Sequence, residues 1–81
     1  MSLGIETIKN WLNRADPDMT HMLVVCDTFD YDHYPVFVRK NESVDTVYKN
    51  YLQKDMQRVM EVYNLSMSIE EQLKERRSFN F

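Results

Sequence analysis

The run Met22-Leu23-Val24-Val25-Cys26 constrains the fold more than any other stretch of this chain. Read as a strand, its alternate positions fall on opposite faces. Met22, Val24 and Cys26 lie on one face, and Leu23, Val25 and Phe29 on the other. Both faces start apolar, so a strand from Met22 to Phe29 has to be covered on two sides along its first half. Asp27 interrupts the second face. With 81 residues, 43% of them hydrophobic, the chain holds a single domain, 1–81, with one modest core. The covers must therefore come from the rest of the same short sequence.

Tyr34 to Arg39 predicts a second strand, with Val36 and Val38 on one face and Phe37 on the other. Pro35 cannot donate a ladder hydrogen bond, so this is an edge strand or a strand start. Asp30 to His33 is the connecting hairpin loop, where Asp side chains can bond their own backbone. Upstream, Ile5, Ile8 and Leu12, with Trp11 beside them, mark one face of a short helix that Pro17 stops. Ala15 to Thr20 reads as a loop.

Beyond the hairpin, Ser43 is an N-cap and Asp45 suits a first turn. Tyr48, Leu52, Met56, Val59 and Tyr63 then recur at steps of four and three. This spacing predicts one long helix to about Tyr63, with Lys54-Asp55 as the place to bend or break and Asn64 as its end. Ser68-Ile69-Glu70-Glu71 matches a capping box and starts a last short helix, Ile69 to about Arg77. Lys74, Arg76 and Arg77 sit where cations complement the helix dipole. Residues 78–81 read as a tail whose Phe79 and Phe81 either fold back or meet a partner. Met1-Ser2-Leu3 reads as a leader.

The expected fold is α+β: an antiparallel β-hairpin packed against one long and two short helices. Two strands alone are marginal in water. Either the long helix covers the hairpin, or it pairs with the hairpin of a second chain into a four-stranded sheet.

Composition narrows the function. The net charge of −3 counts against nucleic-acid binding, which needs a basic excess at the phosphates. Gly4 is the only glycine, which disfavours phosphate-cradling loops. Cys26 is the only cysteine, so one chain forms neither a disulfide nor a cysteine zinc site, and a reducing cytoplasm is expected. No signal-peptide pattern is read, and the longest apolar run is too short to cross a bilayer.

The candidate metal ligands are Asp27, Asp30, Asp32 and His33. Carboxylates suit Mg²⁺, Mn²⁺ or Ca²⁺, and imidazole suits softer ions. The spacing is not that of an EF-hand, and the bland alternative is a solvated turn. Asp27 could act as a general base, cap a turn, or pair with Arg39. His21 and His33 lie too far apart along the chain to share an ion. Cys26 reads as buried and inert. Tyr31, Tyr34, Tyr48, Tyr51, Tyr63 and Trp11 read as core and interface groups, since a base-stacking platform comes with a positive groove. No catalytic residue and no cofactor is assigned.

The stretch Val24-Val25-Cys26-Asp27-Thr28-Phe29-Asp30-Tyr31, continued by Tyr34-Pro35-Val36 and by Met56-Gln57-Arg58-Val59-Met60-Glu61-Val62-Tyr63, resembles a group of small uncharacterised proteins of bacteria and their phages. The resemblance covers most of the chain after His21. It implies a bacterial or phage cytoplasm and no activity. The functional expectation is a non-enzymatic protein-interaction module that self-associates as a homodimer and meets an unknown protein partner, with no membrane contact. The alternative is a divalent-metal-dependent enzyme or ligand-binding domain at the acidic loop.

Overall fold

A computed structural model describes residues 4–75 and 78–81. The leader 1–3 and the basic pair Arg76-Arg77 lie outside the described residues. The elements are α1 (Ile5–Asn13), β1 (Met19–Asp27), β2 (Asp32–Arg39), α2 (Val44–Gln53), β3 (Gln57–Asn64) and α3 (Ile69–Lys74). The fold is α+β, with three helices, among the described residues, around a three-stranded antiparallel sheet of order β2-β1-β3.

The doubly apolar run is the middle of the central strand. Met22, Leu23, Val24 and Val25 are fully buried. Leu23 and Val25 pack with Val38, Val59 and Val62, and α2 covers them through Val44, Val47, Tyr48 and Tyr51. Met22 and Val24 pack with Ile8 and Tyr63 on the opposite face, under Trp11 and Leu12 of α1 and Leu73 of α3. The two covers that the run demands are thus α2 on one side and α1 with α3 on the other.

The long helix expected from Ser43 to Tyr63 is not formed. Its first half is α2, and Gln57–Asn64 is β3. The chain turns at Lys54-Asp55-Met56, where Met56 takes a left-handed φ of 60° that no helix or strand continues through. The helical spacing of the second half has a specific origin. In the pairing of β1 with β3, Val24 faces Glu61 while Val25 faces Val59, so Met60 is an inserted residue. A bulge of this kind changes the alternation of faces. Val59 and Val62, three apart, join the α2 cluster, and Met60 and Tyr63, three apart, join the other. A bulged strand thereby acquires steps of three that mimic a helix.

The other helix signals fare unevenly. Ser68 caps α3 by accepting from the Glu71 N–H at 3.4 Å. Ser43 is the α2 N-cap residue but makes no side-chain capping bond.

Residues 78–81 belong to the fold, not to a free tail. The Val62 N–H donates to the Ser78 carbonyl at 2.7 Å, and the Asn80 N–H to the Val62 carbonyl at 3.0 Å, a parallel bridge along the outer edge of β3. Ser78 is fully buried, and the Phe81 ring meets Tyr48 edge-on at 4.9 Å. Buried Gln72 extends the same edge. Its amide accepts from the Asn64 N–H at 2.7 Å and donates to the Asn64 carbonyl at 2.9 Å, as a neighbouring strand would.

Candidate interaction surface

Strand alternation decides what the acidic loop can do. Asp27 faces Asp32 across the hairpin, and Cys26 faces His33. Asp27 and Asp32 therefore lie on the α2 face, and His33 on the opposite one, with the sheet between them. Asp30 is exposed in the turn that joins the strands. Among the described residues no group of three or more His, Cys, Asp or Glu side chains is placed to hold a metal ion. Asp27 instead shapes the turn: its Oδ1 accepts the Phe29 N–H at 2.9 Å. It does not pair with Arg39, which sits at the far end of the hairpin and binds Asp18 at 2.6 Å and Asp16 at 4.0 Å. The hydrogen bond to Asp18 and the surrounding carboxylates hold the Arg39 guanidinium above its ordinary pKa.

Gln57 lines up with Asp27 on the third strand, and the Tyr34 hydroxyl donates to Gln57 Oε1. Burial first, then Tyr51 and Asp27, raise the Tyr34 phenol above its ordinary pKa. Tyr34 thus stays neutral at physiological pH and serves as a donor, not as a base. Cys26 is buried, with its Sγ directed to the Asp27 carbonyl at 3.7 Å. His21 shares a hydrogen bond with Thr20 Oγ1, while its buried Nε2 has no partner among the described residues.

The outer edge of β2 is blunted. The Val38 carbonyl accepts from Thr20 Oγ1, and the Lys40 N–H donates to the Asp18 carbonyl. Even-numbered backbone positions therefore turn toward β1, and His33, Pro35, Phe37 and Arg39 turn outward. Pro35 has no N–H, and Glu42 engages both the N–H and the carbonyl of Arg39. Only His33 and Phe37 are left as outward donors. Beside this edge an open groove of about 480 Å³ runs between α2 and β2, with Val36, Val47 and Tyr51 along it.

The loop end of the sheet carries half of the exposed large apolar side chains among the described residues; Ile5, Met67, Phe79 and Phe81 are exposed elsewhere. Phe29 is 71% and Tyr31 68% exposed on the β1–β2 turn; Met56, on the α2–β3 turn, and Leu52, on the last turn of α2, are more than half exposed. The two turns are tied by the Thr28 N–H donating to the Met56 carbonyl at 2.8 Å. Tyr31, at φ 59°, and Met56, at φ 60°, are the non-glycine residues with left-handed backbone among the described residues. Both therefore stand at this end, and both carry exposed apolar side chains. In the chain, Asp30 and Asp32 flank Tyr31, Asp55 precedes Met56 and Asp27 ends β1, while the cations of the same segments are Lys54 and Arg58. The Lys54 ammonium is placed over the Tyr51 ring, 4.2 Å from its centre. None of these carboxylates is within ion-pair distance of a described cation.

The sequence pointed to this end for its acids. It did not flag the apolar residues, because exposure of a Phe or Met depends on what the fold leaves uncovered. Comparison with known protein families, with curated proteins and with solved structures gives no match. No helix among the described residues is long and apolar enough to cross a membrane.

Proposed function

We propose that this chain is a non-enzymatic protein-interaction module whose contact surface is the loop end of the sheet. The observation that carries this reading is the set Phe29, Tyr31 and Met56, each more than half exposed on two turns fastened to each other, with exposed Leu52 on the last turn of α2. Large exposed apolar groups gathered at one place mark contact surfaces more often than chance exposure does. Aromatic residues and Met are also enriched at interfaces. Left-handed backbone at non-glycine residues costs stability, and such strain gathers at functional sites. The blunted β2 edge supports contact through side chains at the tip rather than through strand addition.

Site-specific photo-crosslinking in producing cells tests the reading. A benzophenone amino acid in place of Phe29 should yield a discrete protein adduct, and the same group in place of exposed Lys49 of α2 should not. No adduct at Phe29, or identical adducts at both positions, would sink the proposal.

A further inference from the structure

We infer that the partner surface is an apolar face on another protein, bordered by lysine and arginine side chains. This rests on the interaction reading above and adds the chemistry of the partner. Phe29, Tyr31 and Met56 on the turns and Leu52 at the end of α2 offer large side chains that gain by leaving water. Acidic residues alternate with them along the chain. Asp27, Asp30, Asp32 and Asp55 outnumber Lys54 and Arg58, and Lys54 is drawn toward Tyr51. None of the four carboxylates has an ion-pair partner among the described residues.

Large apolar groups flanked by charged ones suit a specific protein contact. Rim charges stay partly wet, so they contribute to choice of partner and to association rate more than to bulk affinity. A partner with acids at its rim would meet like charges and be refused. A second copy of this chain presented tip to tip brings the same carboxylates together and is refused on the same ground. An anionic lipid surface repels them as well.

The test is an NMR titration of the isotope-labelled full chain with two synthetic helical peptides. One has a leucine face flanked by lysines, and the other has glutamates in place of the lysines. The Leu/Lys peptide should shift the signals of residues 28–32 and 52–57 and bind several-fold more weakly when salt is raised enough to screen exposed charges. The Leu/Glu peptide should produce no shifts. In Asp30→Asn with Asp32→Asn the Leu/Lys peptide should lose several-fold in affinity. Tyr31→Gly should also weaken it while the spectrum remains that of a folded protein, separating binding from folding. Absence of shifts, equal response to both peptides, shifts elsewhere, or tighter binding to phosphatidylcholine vesicles than to the Leu/Lys peptide would overturn the apolar partner with a basic border. Adducts at Phe29 together with any of those results would leave the interaction reading standing and remove only this partner.

Discussion

Tyr31 and Met56 hold a conformation that L side chains other than Asn and Asp seldom accept. Each is largely exposed, so packing does not offset the strain. Replacing either with glycine relieves the steric cost but adds backbone freedom to the unfolded chain. The net expectation is a gain of about 0.5–1 kcal/mol for Tyr31→Gly and for Met56→Gly, read from urea unfolding midpoints. A loss of stability in both would mean that the exposed side chains hold the turns, and that the tip is structural. Asp27 shows a simpler economy at the same scale. A carboxylate with no cation beside it is explained by one backbone N–H two residues on.

Among the elements, β3 leans most on distant sequence. One edge pairs with β1, and the other is closed by Ser78, Asn80 and the side chain of Gln72. Removing residues 78–81 deletes two backbone hydrogen bonds, the buried Ser78 and the Phe81 contact with Tyr48. The cost should be about 2–4 kcal/mol by urea denaturation. Unchanged stability would show that the tail does not support the sheet. The same element shows where the sequence misleads. β1 and β2 were legible because Met22–Cys26 and Val36–Val38 are unbroken runs of apolar, mostly β-forming residues, and α1 and α3 because Pro17 and Ser68 punctuate them. β3 was not, because the insertion at Met60 converts its period from two to three. A corrective signal was present: Val59, Val62 and Tyr63 are β-formers, and Lys54-Asp55 was already the weak point of the supposed helix. The candidate site was legible only in its charges. Asp32 and His33 are adjacent in sequence but separated by the thickness of a sheet.

At the level of the whole molecule, an 81-residue chain divides its apolar groups between two sides of one sheet. The doubly apolar β1 foretold this. It did not foretell that the third strand would come from within the chain, which removes the need for a second copy to complete the sheet. Both edges are then guarded by different means: β2 by Pro35 and Glu42, and β3 by the chain's own residues 78–80. The two guards fail differently. Proline is covalent and permanent, whereas the strap of 78–80 is held by the same weak bonds as any local structure. When it lifts, Val59-Met60-Glu61-Val62-Tyr63 becomes a bare strand of high β-propensity, able to template copies of itself in cross-β stacks. A chain cut after Arg77 should therefore form thioflavin-positive fibrils under agitation while the full chain does not, and equal behaviour of the two would place the hazard elsewhere. Four residues at one sheet edge would then separate a protein that unfolds reversibly from one that does not come back.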